Sequence, residues 1–245
     1  MRPVCLITGA SAGIGAACAV LAANRGYDLA LTYNSDPKGA EDIADQARAA
    51  GAKVLVLQLD VADPEAIDAM YSGVDDHFGR LDALINNAGI VAPAERLTGM
   101  DHARLRQIFD VNVIGAILVA KGAVARMEPA GSGVIVNISS AAARLGSANQ
   151  YLDYAASKGA IDTFTKGLSD EVAPSGIRVM AVAPGLIETD IHMKGGQPDR
   201  AARLGGGTPL GRAGSAEEVA NAVIWLLGDE ASYVTGSVLD VTGGR

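Results

Sequence analysis

Cationic side chains, histidine, cysteine and aromatic rings are all scarce in this sequence. Lysine and arginine total 20 against 28 aspartates and glutamates, a net charge of −8 with a pI near 4.8. Proteins that coat nucleic acid or bind anionic membranes need the opposite sign, so neither partner is expected. Cys5 and Cys18 are the two cysteines. They are too few for a disulfide framework, and a reducing, cytoplasmic setting is the expectation. The three histidines, His77, His102 and His192, stand far apart, and no spacing of His, Cys or carboxylate suggests a metal site. No uncharged apolar run reaches the ~18 residues of a membrane span. The start, Met1-Arg2 followed by Val4 to Ile7, imitates a signal peptide, but Gly9, Gly13 and Gly15 interrupt any apolar segment and it reads as a first strand.

What is abundant is small and apolar. Hydrophobic residues make up 49% of the 245-residue chain, charged residues 20%, and there are 30 glycines. That composition excludes a disordered chain. The length suits one domain spanning 1–245, whose folding would bury roughly 70% of the unfolded surface without staples. Short Val/Ile/Leu runs without polar alternation predict strands at 4–8, 29–32, 54–59, 81–86, 134–139, 179–183 and 238–241, covered on both faces. Between them, helices are predicted at 14–25, 39–50, 64–78, 101–127, 154–172 and 216–227. The alternation predicts a doubly wound α/β fold: about seven parallel strands flanked by helices, with a ligand crevice at their carboxyl ends. The segment 188–214 is rich in Gly, Pro and charge with weak periodicity, and reads as a lid.

After the first strand comes Thr8-Gly9-Ala10-Ser11-Ala12-Gly13-Ile14-Gly15, a G-x-x-x-G-x-G loop. Gly9 permits a tight turn, Gly13 lets backbone N–H groups approach a pyrophosphate, and Gly15 lets the helix pack on the strand. A carboxylate ending the second strand would hold a ribose 2′-hydroxyl and repel a 2′-phosphate. The sequence there is Tyr33-Asn34-Ser35, and Asn34, Ser35 and Lys38 can donate to a phosphate. That favours NADP over NAD, although Ala12 stands where a basic residue would strengthen the preference and Asp36 is close by.

Tyr154 and Lys158 are four apart and share one helix face. An ammonium beside a phenol favours the phenolate and brings its pKa toward the working range. Alone, the pair fits an ordinary amphipathic helix as well. Ser139-Ser140 closes a strand facing the crevice, where a hydroxyl can hold a carbonyl oxygen, and Asn86-Asn87-Ala88-Gly89 closes another. Asn112, inside an apolar helix, needs partners. Structural satisfaction and a proton relay are equally open for it.

These motifs, with Asp60-Val61, Pro184-Gly185 and Tyr233-Val-Thr-Gly236, resemble the short-chain dehydrogenase/reductase family over essentially the whole chain. The run from Ala143 to Asp162 is similar to a bacterial subgroup labelled glucose or sugar dehydrogenases. The resemblance implies hydride transfer between a nicotinamide and a carbonyl or secondary alcohol, the substrate being a sugar, polyol or small ketone. It makes Tyr154 the acid/base and Ser140 the carbonyl-orienting hydroxyl. Lys158 would tune the tyrosine and hold the nicotinamide ribose, and Asn112 would place a water in a relay from Lys158. It assigns the cofactor to Gly9, Ser11, Gly13, Ile14, Gly15, Tyr33, Asn34 and Ser35 together with Tyr154 and Lys158, and puts Asp60 and Val61 at the adenine. Asn87, Ala88 and Gly89 would lie between the nucleotide halves, and Pro184, Gly185, Ile187 and Thr189 at the nicotinamide. Ser140 precedes Tyr154 by 14 residues, one more than the family spacing, which keeps Ser139 as an alternative hydroxyl. Tyr151 has no lysine four residues on.

A 3-oxoacyl-acyl-carrier-protein reductase is the enzymatic alternative, and a catalytically silent nucleotide-binding regulator the non-enzymatic one. An acidic carrier wants basic residues at the entrance, whereas Ala125, Glu128, Asp170 and Glu171 occupy the corresponding helices. The family resemblance also implies a homotetramer built through 101–127, 154–172 and the last strand.

Overall fold

The computed structural model describes residues 2–189, 195–197 and 199–245. Seven parallel strands form one sheet: β1 (Val4–Ile7), β2 (Asp28–Tyr33), β3 (Val54–Gln58), β4 (Ala83–Asn86), β5 (Gly133–Ile138), β6 (Ile177–Pro184) and β7 (Val238–Val241). The order is β3-β2-β1-β4-β5-β6-β7, all neighbours parallel. The chain therefore winds one way from β1 to β3 and the other from β4 to β7. The reversal between β1 and β4 opens a crevice at their carboxyl ends. The doubly wound expectation holds.

Helices cover both faces: α1 (Gly13–Asn24), α2 (Pro37–Ala49), α3 (Pro64–Phe78), α4 (His102–Phe109), α5 (Ala116–Met127), α6 (Ala142–Leu145), α7 (Leu152–Val172), α8 (Arg200–Gly205) and α9 (Ala216–Leu227). One core packs α1 and α9 on the sheet through residues such as Ile7, Ala19, Leu31, Val136, Val182 and Val223. The other packs α3, α5 and α7 through Leu6, Met70, Val119, Met127, Ile135 and Val179. Alanine and glycine let these layers approach closely. At Gly122 the ring of Tyr71 occupies the space a Cβ would need, and its hydroxyl donates to Val119 O.

Three expectations are corrected. The helix anticipated over 101–127 is interrupted by a π-helical segment, Asp110–Gly115, between α4 and α5. The extra residue turns Asn112 inward, and Gly115 lets the helix lie on Val61, whose carbonyl would stand 2.3 Å from an added Cβ. Segment 188–214 is not helix-free: Arg200-Ala-Ala-Arg-Leu-Gly205 consists largely of strong helix formers and builds α8. The expected cover on both faces fails at the edges, where β3 and β7 are part-exposed because each has one neighbouring strand. The lid residues Asp190, His192, Met193 and Lys194 lie outside the described residues.

The run His102–Met127 is, by length and composition, apolar enough to cross a bilayer. Its inner residues Val119, Ala120, Ala123 and Met127 are buried in the protein core.

Candidate active site

A crevice of about 910 Å³ runs from the first strand–helix turn to the start of α7. That is large enough for a dinucleotide half-exposed to solvent together with a small substrate.

At one end, Gly9 (φ +66°) and Gly13 (φ +58°) hold left-handed conformations that make the turn, and an added Cβ at Gly13 would meet Thr189 at 3.5 Å. Gly15 lies behind the turn, where a Cβ would stand 2.3 Å from Gly9 O and 2.6 Å from Asn87 Nδ2. Asn87 knits this turn to β4: its Nδ2 donates to Thr8 O (2.8 Å) and Gly9 O (2.9 Å). Its N–H and that of Ala88 donate to Thr8 Oγ1. The N-terminus of α1 carries no side-chain cap and no acidic residue in its first turn. Helices α2, α3 and α9, by contrast, are closed by Asp36, Asp63 and Ser215. The end of α1 aimed into the crevice is thus left open for an external anion. These observations fit a bound dinucleotide pyrophosphate.

Of the residues assigned to the cofactor, Gly9, Ser11, Gly13, Ile14, Asn34, Ser35, Asp60, Val61, Asn87, Ala88, Gly89, Pro184, Gly185, Ile187 and Thr189 line the crevice. Two assigned residues are not in its lining. Gly15 is buried behind the turn, and Tyr33 sits between two crevice-lining neighbours, Thr32 and Asn34, on a strand whose side chains alternate in direction. Lys38 also turns away, pairing with Asp42 on the exposed face of α2. Asp36 lines the crevice while its Oδ1 accepts from Gly39 N.

Deeper in, Ser140, Tyr154 and Lys158 face the same space. β5 delivers Ser140: Ser139 N donates to Val182 O and Ala141 N to Pro184 O, which lock the strand end to β6. Ser140 Oγ accepts from Ala142 N at 3.1 Å and hydrogen-bonds the Tyr154 phenol. Ser139 also borders the crevice but is buried, its hydroxyl directed to Lys158 O (3.4 Å) and to Asp162, whereas Ser140 meets the Tyr154 phenol. α7 delivers the tyrosine and lysine one turn apart. Its first turn is pinned by an almost buried ion pair, Arg104 Nε to Asp153 Oδ2 at 2.7 Å.

The electrostatics differ from the sequence expectation. Burial raises the Tyr154 phenol, and the hydrogen bond from Ser140 opposes it. Lys158 is itself driven down to about 8 by burial, with Asp162 opposing, and its Nζ donates to Ile138 O at 2.8 Å. The ammonium lies 5.7 Å from the Tyr154 ring centre. Asn112 is almost fully buried, and its side chain holds the loop after β4. Nδ2 donates to Ile90 O (2.9 Å) and Ser157 Oγ (3.1 Å), and Oδ1 accepts from Ile90 N (2.8 Å). Beside it, a Cβ at Gly89 would stand 3.4 Å from Lys158 Nζ. The sequence reading left two roles open for Asn112, and this geometry satisfies the structural one.

Asp162 went unnoticed in the sequence, although it stands four residues after Lys158 on the same face of α7. One of its carboxylate oxygens is buried with no hydrogen-bond partner. Burial raises its pKa against Ser139, Lys158 and Arg144, with Asp240 adding to the rise, while its charge holds Lys158 up. Asp162→Asn is therefore expected to let Lys158 fall further. The alkaline limb of carbonyl reduction, governed by loss of the ammonium near pH 8, should move to lower pH. A pH profile of kcat/KM tests this, and an unmoved limb contradicts it.

The comparisons with known proteins agree with this geometry. The family model described as enoyl-(acyl carrier protein) reductase matches residues 9–245. The chain belongs to the short-chain dehydrogenase/reductase family. It is 47% identical over 245 residues to the uncharacterized oxidoreductase YgfF of Escherichia coli K12, covering 99% of both chains. It is 39% identical over 241 residues to the cis-4-hydroxycyclohexanecarboxylate dehydrogenase of Sinomonas cyclohexanicum, covering 98% of this chain and 95% of the relative. Among solved structures, a 3-ketoacyl-(acyl-carrier-protein) reductase of Brucella melitensis complexed with NADH superposes with a TM-score of 0.92 at 30% identity, over 99% and 98% of the chains. A short-chain dehydrogenase of Burkholderia cenocepacia J2315 complexed with NADP does so at 0.91 and 33%, over 99% and 96%. This short-chain dehydrogenase/reductase is accordingly an NAD(P)-dependent oxidoreductase that interconverts carbonyl and alcohol groups.

Proposed function

We propose that this enzyme uses Tyr154 as its acid/base on a small ketone, sugar or polyol, with NADP as the preferred cofactor. The convergence of Ser140, Tyr154 and Lys158 in one crevice with the open N-terminus of α1 carries the reading. Nicotinamide, when bound, supplies or accepts the hydride. In the reducing direction the Tyr154 hydroxyl gives its proton to the carbonyl oxygen, and the Ser140 hydroxyl holds that oxygen as charge develops. The raised phenol keeps the proton available at neutral pH. Lys158, as the ammonium, stabilises the tyrosinate left behind, and Asn112 keeps the 87–90 loop in place beside it. Thr189, Arg200 and Leu204, from the segment anticipated as a lid, stand in the wall of the substrate end. One domain, 1–245, performs both binding and chemistry.

A screen following absorbance at 340 nm, with NADPH and NADH over sugars, polyols and ketones, tests activity and substrate class together. No turnover of any kind, with tight cofactor binding, would instead favour a silent regulator. NADP preference rests on Asn34 and Ser35 with no carboxylate ending β2. Asn34→Asp should weaken NADP about 10- to 100-fold and leave NAD at least as good. An unchanged ratio of kcat/KM for the two cofactors would remove these residues from the 2′-phosphate site.

The acyl-carrier reductase reading is weaker. Lys166 on α7 pairs with Asp170, and Arg126 on α5 with Asp75, so neither cation is left unpaired for an acidic carrier. A homotetramer is the proposed assembly. Ile114 and Trp225 are 44% and 42% exposed, Tyr233 is fully exposed, and β7 offers an unpaired edge, so these faces suit burial between copies. Light scattering tests that assembly. A cytoplasmic location accords with Cys5 and Cys18, both buried free thiols pushed up by burial, Cys18 to about 12.

A further inference from the structure

We propose that Arg200, at the substrate end of the crevice, binds a carboxylate on the substrate. The enzyme then acts on keto or hydroxy compounds whose carboxylate lies several bonds from the reacting carbon. The inference rests on the redox reading above and narrows its substrate class.

Arg200 opens α8 and lines the crevice together with Gln150, Tyr151, Leu204 and Arg245. Its guanidinium lies over the Tyr151 ring, 5.3 Å from the ring centre. Tyr151 is itself held: it is buried, donates to Gly195 O (3.3 Å) and accepts from Gln197 Nε2 (2.9 Å). Arg200 Nη1 donates to Gln150 Oε1 (2.6 Å) and Gln197 Oε1 (3.3 Å), both neutral amides. These contacts fix the guanidinium without neutralising it.

In a chain of net charge −8, arginines readily find acids. Arg104, Arg126, Arg144 and Arg212 pair with Asp153, Asp75, Asp240 and Glu218. Among the described residues Arg200 has no carboxylate partner, and its Nε and Nη2 have no acceptor. Burial presses its guanidinium pKa down, the Tyr151 hydroxyl opposes this, and Arg203 and Arg245, of the same sign, add to the lowering. A half-buried cation among like charges is costly unless an anion arrives. The free Nε–Nη2 edge is the planar fork that takes a carboxylate in two parallel hydrogen bonds.

Position sets which anion. Tyr151 caps α7 three residues before Tyr154, so the ring under Arg200 starts about 4.5 Å along the helix axis from the acid/base. The opposite end of the crevice, with Ser11, Asn34 and Ser35, takes the nucleotide. An anion on Arg200 therefore belongs to the molecule whose carbonyl meets Tyr154. An α-keto acid, with its carboxylate adjacent to the carbonyl, is too short, whereas a γ-keto acid or a ring with a remote carboxylate spans the gap.

The test reads binding and turnover separately. Calorimetry of cyclohexanecarboxylate with the NADP⁺-loaded protein should show equal affinity for wild type and Tyr154→Phe, and about 10- to 100-fold weaker affinity for Arg200→Gln. Arg203→Gln, at an exposed neighbour, should stay within about twofold. Cyclohexanecarboxamide should not distinguish wild type from Arg200→Gln. In turnover, 4-oxocyclohexanecarboxylate and 4-oxopentanoate should lose a similar factor in kcat/KM in Arg200→Gln, while their methyl esters do not. Equal acid binding by wild type and Arg200→Gln overturns the proposal, even with ketone reduction intact. Displacement of the acid by equimolar inorganic phosphate overturns the carboxylate class in favour of a general anion site. Arg200-dependent binding with no turnover of acid or ester supports the anion site and counts against the redox assignment instead.

Discussion

Tyr154→Phe is expected to lower kcat by about 10²- to 10⁴-fold while the affinity for NADPH stays near that of wild type. The substitution removes one oxygen, which carries a transferable proton and hydrogen-bonds Ser140 in the crevice. Phenylalanine keeps the ring and its place in α7, and so keeps the packing against Lys158. The residues proposed for the pyrophosphate and adenosine, at the ends of β1, β2 and β4 and the start of α1, keep their places without the phenol. Steady-state rates at 340 nm and a fluorescence titration of NADPH measure the two quantities. Turnover within a few-fold of wild type would remove Tyr154 from the chemistry.

Gly15→Ala should strike fold and cofactor binding together. In an open helix, alanine is favoured over glycine by about 0.5–1 kcal/mol. Here the new methyl would lie 2.3 Å from Gly9 O, a backbone atom, and 2.6 Å from Asn87 Nδ2. Neither can move without breaking the bonds from Asn87 that tie the turn to β4. Overpacking of this kind costs about 1–3 kcal/mol and outweighs the propensity gain. Displacing the Gly9 turn should also weaken NADP(H) by tenfold or more, since the backbone N–H groups no longer converge. The contrast is Gly167→Ala on α7, where an added Cβ meets nothing within 4 Å and stability should rise by about 0.5–1 kcal/mol. Urea melts of both variants measure the difference, and a Gly15→Ala protein as stable as wild type would contradict the packing argument.

The strands were legible because each is a short β-branched or leucine-rich run bounded by glycine or a polar turn. The prediction for 238–241 coincides with β7, and that for 64–78 with α3. The interruption of 101–127 was not legible. An asparagine in an apolar helix announces a need for partners, but those partners, Ile90 and Ser157, are distant in sequence. α8 was missed because six residues between glycines are too short for a periodic signal. Asp162 carried a signal that was available, its spacing of four from Lys158. Arg200 carried none, because what distinguishes it is that no acid among the described residues pairs with it in space.

The sequence alone determined the order of strands and helices, the glycine turn and the pairing of Tyr154 with Lys158 on one helix face, since all three depend on local periodicity and fixed spacing. Tertiary structure decided everything that depends on which distant groups share low-dielectric space. It put the Ser140 hydroxyl against the Tyr154 phenol, drove Lys158 toward about 8 while raising the phenol, and set Arg200 in the crevice wall with no counter-ion among the described residues. Burial and long-range neighbours fix a charge's free energy, and neither is a property of the chain until it has folded.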